Sequence, residues 1–305
     1  CIPALEESSE AGVFDTSGEA DNTVALGLQH KYPATALILS TNQCAMYCRH
    51  CFRKRMVGVT EEEVAQNFLF TVEYIEKHKE ISNVLISGGD SLMMSDHMIE
   101  QYLQAFTGME HLDLIRFGTR IPVVWPDREI RDRHLQELFK QYAGKKQIFV
   151  VTQFNHPREL TEKAKECLAI FKNMGIILRN QTVLLKGVND DPQVLGSVLK
   201  DLSWVVVLPY YLFQCRPVKG VKDHFQVPLH RGSEIVEEAK RMQNGQGKSF
   251  RYCMSLPKGK VEILGELSGE EMLFKFHQAK HPEDHGRIFT QKVEQDQCWL
   301  ELGDA

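Results

Sequence analysis

Three cysteines lie within eight residues of the chain, and their spacing is its strongest chemical signal. Cys44, Cys48 and Cys51 follow a C-x3-C-x2-C pattern in the run TNQCAMYCRHCFRKR. Three thiolates at this spacing can bind three irons of a 4Fe-4S cube and leave the fourth iron without a protein ligand. Structural zinc sites and electron-transfer clusters usually have four protein ligands. The pattern therefore predicts a catalytic cluster whose open iron binds a small molecule, with zinc or three unrelated thiols as the alternatives.

Basic residues surround these cysteines along the chain. They are Arg49, His50, Arg53, Lys54 and Arg55. Cations beside a thiol favour the thiolate and lower the pKa of the thiol, and they also stabilise an anionic cluster. We therefore expect this loop to present thiolates to a metal cluster.

A second motif, Gly88-Gly89-Asp90, follows the apolar run NVLIS. Glycines let the backbone approach a ligand closely, and a carboxylate can accept a hydrogen bond from an amine or a ribose hydroxyl. A Gly-Gly turn before a helix is common in proteins that bind nothing there. Together with the cysteines, however, the motif predicts a clamp for an amino group of the small molecule.

Both motifs follow short apolar runs that alternate with amphipathic stretches. The predicted strands are Ala36–Ser40, Asn83–Ser87, Leu112–Phe117, Gln147–Gln153, Ile176–Leu184 and Trp204–Leu208. The predicted helices are Glu61–His78, Ser95–Phe106, Asp127–Tyr142, Glu159–Met174, Gln193–Leu202 and Arg231–Met242. Such alternation predicts a parallel sheet with right-handed crossovers, and six units are too few to close an eight-stranded barrel. We predict an α/β fold, a partial (β/α)6 barrel with the motifs at the carboxyl ends of its strands.

The two ends of the chain differ from this middle part. Residues 1–30 are polar and are predicted to be an extended or weakly ordered lead-in, whereas residues 31–245 form the barrel. Residues 246–305 are predicted to be a small C-terminal appendage. Within it we expect strands at Phe250–Ser255, Lys260–Leu264 and Trp299–Leu302, and a helix at Glu270–Lys280.

Composition excludes several classes of protein. The net charge of −5 argues against nucleic acid as the main partner, because phosphate binding needs a basic surface. No apolar run approaches the roughly 18–20 residues that cross a bilayer, so we expect no membrane association. Only three of the eight cysteines cluster, which is unlike a secreted disulfide framework, and no signal peptide is visible. We expect a cytoplasmic protein, and, since the chain starts at Cys1, a natural start further upstream.

The two motifs together resemble the radical S-adenosylmethionine superfamily. Six segments in order narrow the resemblance to the lysine 2,3-aminomutase family: CAMYCRHCFRKR, VLISGGDSL, IRFGTRIPVVWPDREI, QFNHPREL, LRNQTVLLKGVND and LPYYLFQC. The resemblance implies that the open iron binds S-adenosylmethionine, which is cleaved by one-electron reduction to a 5′-deoxyadenosyl radical. It also implies pyridoxal phosphate as a second cofactor, an amino-acid substrate whose nitrogen moves from C2 to C3, and a reductant such as flavodoxin or ferredoxin. A homo-oligomer is compatible with the sequence.

The resemblance assigns roles to residues by position. Arg53 corresponds to an arginine that pairs with the substrate α-carboxylate, and Asn155 and His156 correspond to a segment lining the S-adenosylmethionine site. The positions that correspond to pyridoxal-phosphate contacts are Lys31, Tyr32, Gln181 and Tyr210. The lysine that holds this cofactor covalently corresponds to Lys260, with Lys258 as the second candidate. Because the surrounding loop is shorter and poorer in glycine than in the family, an exposed hairpin turn is the alternative.

Two substitutions relative to the lysine enzyme bear on the substrate. The acidic residues that hold the distal amine of lysine are replaced by Arg216 and Ser255. A guanidinium repels an ammonium group and binds a carboxylate, so we predict an acidic or neutral substrate, closer to the glutamate type. Thr35 stands where the family has an arginine near the cofactor phosphate, and Cys253 and Cys298 are too isolated to form the family's zinc site.

Three alternatives remain open at this point. A relative without pyridoxal phosphate could carry out epimerisation or dehydration. The target could instead be a lysine on a protein partner. A metal-binding module without catalytic activity is the third alternative.

Overall fold

The computed structural model describes residues 9–302, and within that range the chain forms twelve strands and nine α-helices. The strands are β1 (Thr23–Ala25), β2 (Leu28–Tyr32), β3 (Thr35–Thr41), β4 (Asn83–Gly88), β5 (Leu114–Gly118), β6 (Gln147–Thr152), β7 (Ile177–Leu184), β8 (Leu208–Gln214), β9 (Arg251–Leu256), β10 (Gly259–Ser268), β11 (Glu271–Ala279) and β12 (Ile288–Lys292). The helices are α1 (Phe68–Lys77), α2 (Asp96–Thr107), α3 (Ile121–Val124), α4 (Asp127–Arg131), α5 (Arg133–Ala143), α6 (Glu162–Asn173), α7 (Pro192–Trp204), α8 (Lys222–Phe225) and α9 (Leu229–Arg241). Across residues 9–302, every helix is too short or too polar to cross a lipid bilayer.

The strands form one sheet in which the spatial order follows the chain order from β1 to β12. Strands β3 to β9 pair in parallel, and helices connect each pair of neighbours. The β1–β2 pair and the strands β10 to β12 extend the two edges with antiparallel pairing. Parallel neighbours require long crossovers, which the amphipathic segments between the apolar runs provide. The predicted α/β fold is confirmed.

The main hydrophobic core lies between this sheet and its helices. On β5, Ile115 and Phe117 are fully buried, whereas Arg116 between them belongs to the opposite, half-buried face. The Phe117 ring packs edge-to-face on Phe139 of α5, with centroids 5.3 Å apart. Because successive strand residues point to opposite faces, the same pattern leaves a second set of side chains around an interior space.

Three predicted elements differ from the observed ones in the middle of the chain. The strand predicted at 204–208 is wrong, because Trp204 ends α7 and the sixth parallel strand begins at Leu208. Trp204 is 88% exposed and Val206 has a positive φ of 64°, so this apolar run forms a turn. The helix predicted at 61–78 starts only at Phe68. The helix at 127–142 is interrupted at Asp132, whose side chain accepts from Leu135 N and caps α5.

The C-terminal part continues the same sheet. The helix predicted at 270–280 is wrong: this segment is β11, in which Met272, Phe274 and Phe276 are buried and alternate with more exposed residues. That period of two is the pattern of a strand with one buried face. Strand β9 pairs in parallel with β8, so it adds a seventh parallel strand to the barrel sheet. The strand predicted at 299–302 is absent from the described residues.

The N-terminal residues are more ordered than predicted. Residues 1–8 of the predicted lead-in lie outside the described range, but residues 9–22 form a segment that we call the N-terminal strap. Within it, the Asp15 carboxylate accepts from the backbone N–H groups of Ser17, Glu19 and Ala20. Val13 N donates to Pro217 O at 3.1 Å, which ties the strap to the loop after β8. Of the two forms predicted for the lead-in, extended or weakly ordered, residues 9–22 are closer to the first.

Candidate active site

A cavity of about 510 Å³ lies at the carboxyl ends of the parallel strands and extends inward between the strand side chains. The predicted site residues that line it are Lys31, Tyr32, Cys44, Cys48, Cys51, Arg53, Gly88, Gly89, Asp90, Gln181, Arg216, Ser255 and Lys260. The structure therefore brings the cysteine loop, the Gly-Gly-Asp motif and the candidate lysine to one space. Residues that are more than 200 positions apart in the sequence therefore line the same cavity.

The Gly-Gly-Asp motif packs directly against the start of the cysteine loop. Gly89 N donates to Thr41 O at 2.6 Å, and Asp90 N donates to Gln43 O at 2.8 Å. A Cβ atom on Gly89 would lie 2.3 Å from Gln43 O, a distance at which the two backbones could not stay in place. Gly89 thus allows close approach to the loop that carries Cys44, and the predicted approach of the glycines to a ligand stays a prediction.

The carboxylate of Asp90 is occupied by hydrogen bonds within the protein. It accepts from Thr119 Oγ1 at 2.5 Å, from Arg120 N at 2.7 Å and from Leu92 N at 3.1 Å. Burial raises the pKa of this carboxyl group, although these donors oppose the shift. Asp90 therefore joins the loops after β4 and β5. Its predicted contact with an amino group stays a prediction.

Burial acts on two of the thiols against the expected effect of their basic neighbours. Burial raises the pKa of Cys44 to about 12, and the nearby Asp90 carboxylate acts in the same direction. Burial also raises the pKa of Cys51. Two of the basic side chains are engaged elsewhere, since Arg53 pairs with Glu19 and Lys54 Nζ donates to Gly220 O. Arg53 and Lys54 still lower the pKa of Cys51, but burial outweighs them.

One cation that the sequence analysis did not assign does reach a cysteine. Arg120 Nη1 donates to Cys48 Sγ at 2.7 Å, and Arg120 Nη2 pairs with Glu159 Oε1 at 2.8 Å. Arg120 Nε donates to Gln153 O at 3.1 Å, so the whole guanidinium is fixed. Its place in the motif just after β5 was the signal that could have identified it.

The three cysteines fit a cluster better than a single ion. Among residues 9–302, no three His, Cys, Asp or Glu side chains converge closely enough to hold one metal ion. Zinc needs ligands that meet at one point, whereas a 4Fe-4S cube takes one cysteine at each of its ligated irons. Cys44, Cys48 and Cys51 all line the cavity, and their sulfur-only donor set agrees with the second arrangement.

A cluster of charged residues lies beside the cysteine loop. The guanidinium of Arg53 is 4.5 Å from the ring centroid of Phe52, and that of Arg216 is 4.0 Å from the same ring. Arg53 pairs with Glu19 of the strap, and Arg216 Nη1 donates to Ser17 Oγ at 2.8 Å. Burial would raise the pKa of Glu19, but Arg53 and its neighbouring arginines lower it to about 2.

The candidate lysine lies at a different part of the cavity wall. Lys260 Nζ donates to Gln278 Oε1 at 2.9 Å, and Lys260 pairs with Ser255 across β9 and β10. Burial lowers the pKa of Lys260 to about 7. Burial also lowers the pKa of Lys31 to about 7, but Lys31 Nζ donates to Ser17 O and Leu256 O. Lys258, in the preceding turn, is outside the cavity lining.

Three predicted site residues do not line the cavity. Asn155 Oδ1 accepts from Val183 N at 2.9 Å, so its side chain connects two barrel loops. His156 Nδ1 accepts from Arg158 N at 3.1 Å and caps a short turn. The Tyr210 ring lies 4.2 Å from that of Tyr211. Their predicted cofactor contacts stay predictions.

Comparison with solved structures bears on the fold. No family model matches the chain. The structure described as anSMEcpe with bound AdoMet superposes with a TM-score of 0.53 at 12% identity, covering 70% of this chain and 62% of that one. This similarity concerns the fold alone, and it confirms the predicted partial barrel. The fold and the three-cysteine loop together agree with the radical S-adenosylmethionine class that the sequence predicted.

The relatives narrow the class to one family. The chain is 39% identical over 303 residues to a putative L-lysine 2,3-aminomutase of Aquifex aeolicus, which covers 98% of this chain and 80% of the relative. It is 38% identical to the L-lysine 2,3-aminomutase of Fusobacterium nucleatum, covering 77% of this chain and 55% of that protein. It is 36% identical to the glutamate 2,3-aminomutase of Clostridioides difficile, covering 84% and 59%. The chain belongs to the lysine 2,3-aminomutase family, as predicted.

This membership bears on the cofactors. It implies a 4Fe-4S cluster and S-adenosylmethionine, as the cysteine loop predicted, and pyridoxal phosphate is expected for the family. The chain spans a little over half the length of the Fusobacterium and Clostridioides proteins, with 55% and 59% of their residues matched. The activity, substrate and partners of this chain are therefore proposals.

Proposed function

We propose that this chain is a radical S-adenosylmethionine aminomutase that moves the amino group of an α-amino acid from C2 to C3. The observation that carries the proposal is a single cavity lined by Cys44, Cys48 and Cys51 and also by the buried Lys260. When bound, the cluster and S-adenosylmethionine would supply the radical, and pyridoxal phosphate would delocalise the unpaired electron. The chain's own residues then have to place the substrate between these groups and exclude water.

Lys260 has the properties of a lysine that binds an aldehyde. Its pKa is lowered to about 7 by burial, so much of the amine is neutral and nucleophilic at neutral pH. Tyr32 and Tyr211 lie beside it, with Nζ 5.5 Å and 4.8 Å from their ring centroids. The hydrogen bond to Gln278 leaves the neutral amine its second proton and its lone pair.

Charge at the cavity wall favours a substrate with an acidic or uncharged side chain. Burial lowers the pKa of Arg216 to about 10, although Glu19 and Asp15 stabilise its charge. Its direct partners are the Ser17 hydroxyl and the Phe52 ring, and no carboxylate among residues 9–302 lies within ion-pair distance of it. A largely buried cation without a direct ion pair is stabilised by an anionic ligand and destabilised by an ammonium group. Arg216 therefore supports an acidic or neutral amino acid over lysine.

The test is turnover by the anaerobically reconstituted chain. Protein supplied with iron, sulfide, pyridoxal phosphate, S-adenosylmethionine and dithionite is incubated with glutamate, alanine or lysine, and β-amino acids are measured by NMR. We expect product from glutamate or alanine and much less from lysine. The variant Arg216→Asp should shift the preference towards lysine, and Arg128→Asp, outside the cavity, should not.

Other outcomes would contradict the proposal in distinguishable ways. Formation of 5′-deoxyadenosine without any β-amino acid would favour a relative that uses another reaction. One zinc per chain and no cleavage of S-adenosylmethionine would favour a metal-binding module. Cleavage that requires a protein substrate would favour modification of a protein-bound lysine.

The proposal also includes an electron donor and a homo-oligomeric state. A one-electron donor such as flavodoxin or ferredoxin would replace dithionite, since the cluster has to be reduced for each activation. The homo-oligomer compatible with the sequence would be detected by light scattering of the purified chain. Neither the identity of the electron donor nor the oligomeric state changes the assignment of the cavity as the active site.

A further inference from the structure

Arg116 is a cation in the same cavity for which the proposed reaction has so far no role. It lies on β5 and lines the cavity. Its Nη2 donates to Asn83 Oδ1, whereas its Nε is buried and has no hydrogen-bond partner. Among residues 9–302 it pairs with no carboxylate. A buried charged donor without an acceptor is costly, so this position is suited to an anion that is not part of the chain.

The position of Arg116 is fixed by the adjacent strands. Asn83 Nδ2 donates to Ala34 O at 2.7 Å, which turns the amide oxygen of Asn83 towards Arg116. Thr35 Oγ1 donates to the same oxygen at 3.3 Å. Thr35 and Asn83 are paired across β3 and β4, and Leu85 is paired with Arg116 across β4 and β5. The guanidinium is thus held in one orientation before any ligand binds.

Arg116 also lies close to the candidate lysine. After burial itself, Arg116 is the strongest influence that lowers the pKa of Lys260. In pyridoxal phosphate, the aldehyde that reacts with a lysine and the phosphate-bearing methylene are attached to neighbouring ring carbons. A cofactor joined to Lys260 would therefore have its phosphate within reach of cations near Lys260. Two other cations act in this part of the cavity: Lys31 has its Nζ on two backbone carbonyls, and Arg216, which also lowers the pKa of Lys260, donates to Ser17 Oγ.

We infer that Arg116 binds the phosphate group of pyridoxal phosphate, and the inference rests on the proposed function. A phosphate dianion offers several acceptor oxygens, and a guanidinium can meet them with its free Nε and Nη hydrogens. The phosphate would in turn balance the charge of Arg116, which makes no ion pair among residues 9–302. Thr35, at the position where the family has an arginine, contributes only a hydroxyl to this region, so Arg116 supplies the positive charge from β5, on the far side of β4.

The test compares two ligands that differ only in the phosphate. Binding of pyridoxal phosphate and of pyridoxal to the full chain is measured by absorbance titration, for the wild type and for Arg116→Met. We expect the substitution to weaken binding of pyridoxal phosphate about tenfold or more, and to change binding of pyridoxal less than about twofold. Inorganic phosphate should compete with pyridoxal phosphate in the wild type and much less in the variant.

Two further variants keep this test decisive. Arg179→Met removes an arginine from β7 that lies outside the cavity lining, and it should leave both affinities unchanged. Arg116→Lys keeps the charge but not the planar fork, and it should bind pyridoxal phosphate with intermediate affinity. It also replaces Arg116→Met if that variant does not fold.

The outcomes that contradict the inference differ from those that contradict the proposed function. If Arg116→Met lost affinity for pyridoxal phosphate and for pyridoxal equally, Arg116 would only support the structure. An unchanged affinity for pyridoxal phosphate with a raised KM for the amino acid would place the substrate carboxylate at Arg116. Failure of the wild-type chain to bind pyridoxal phosphate at all would instead contradict the proposed function.

Discussion

Glu19 and Arg53 form a buried ion pair at the edge of the cavity. Glu19 Oε1 accepts from Arg53 Nε at 3.1 Å and from Arg53 Nη2 at 2.8 Å. The other oxygen, Oε2, accepts from Arg55 Nη2 at 2.5 Å. The arginine that the family resemblance assigns to the substrate α-carboxylate therefore already holds a carboxylate of the chain. Arg216, on the neighbouring Phe52 ring, makes no direct ion pair among residues 9–302, although Glu19 stabilises its charge.

Removing this carboxylate should destabilise the folded chain. Glu19→Gln leaves Arg53 buried without its counter-ion, and we expect the free energy of unfolding to fall by about 3 kcal/mol. The control is Glu63→Gln, which breaks the ion pair between Glu63 and Arg55. The Glu63 side chain is 34% exposed. That loss should stay below about 1 kcal/mol. Urea unfolding measures both, and equal losses would contradict a special role for Glu19.

The contribution of Glu19 to the free energy of unfolding should also depend on pH. The folded-state pKa of Glu19 is lowered from 4.5 to about 2, so its stabilisation is present above pH 4.5 and is lost as the pH falls through about 2. The difference in unfolding free energy between wild type and Glu19→Gln should therefore shrink over this interval. A difference that stays constant down to the lowest pH would show that the ionised carboxylate is not the stabilising species.

The contact between the Gly-Gly-Asp motif and the cysteine loop predicts a loss of cluster binding. Gly89→Ala places a Cβ atom 2.3 Å from Gln43 O, so the loop that carries Cys44 has to move. We expect iron content after reconstitution to fall from about four per chain to less than half of that. Gly108→Ala at the end of α2, where the nearest atom is 3.6 Å away, is the control. Full iron content in Gly89→Ala would contradict the proposed packing role.

The hydrogen bond from Arg120 to Cys48 predicts a change in redox potential. Donors to cluster sulfurs stabilise the reduced, more negative state, so Arg120→Met should lower the reduction potential of the cluster. Arg128→Met also removes one positive charge, but Arg128 pairs with Asp96 and Asp132 outside the cavity. An EPR-monitored redox titration compares the two variants. Equal potentials in wild type and Arg120→Met would mean that the contact at 2.7 Å does not influence the cluster.

The lowered pKa of Lys260 predicts how cofactor attachment depends on pH. The neutral amine is the nucleophile, and with a pKa of about 7 the attachment rate should rise with pH and level off above neutrality. Borohydride reduction followed by peptide mass spectrometry should place pyridoxal phosphate on Lys260. Lys260→Ala should lose the label and Lys258→Ala should keep it. Labelling of Lys258 in the wild type, or a rate that still rises at pH 9, would contradict the assignment.

Much of the fold could be predicted because the parallel strands are continuous apolar runs separated by amphipathic helices. The errors fall where a short apolar pattern is ambiguous. Met272, Phe274 and Phe276 alternate as in a strand, but charged residues around them resemble a helix surface. Near Trp204, a β-branched run forms a turn because α7 ends there and the next strand starts four residues later at Leu208.

The site was predictable only where a residue belongs to a local motif. The cysteine spacing and the position of Arg53 can be recognised from a few neighbouring residues. Glu19 pairs with Arg53 across 34 positions from a polar segment that carries no motif, so no sequence pattern indicates the pair. Arg116 is a single arginine in an apolar strand, and its unpaired Nε becomes evident only when β3, β4 and β5 are placed side by side.

Hydrogen transfer from the substrate to the adenosyl group tests the central claim most directly. The reconstituted chain is incubated with S-adenosylmethionine, dithionite, pyridoxal phosphate and glutamate that carries deuterium at C3, or with the substrate found in the turnover assay. The account predicts deuterium in 5′-deoxyadenosine together with the β-amino acid. Cleavage of S-adenosylmethionine that yields only unlabelled 5′-deoxyadenosine, with no β-amino acid formed, would contradict it.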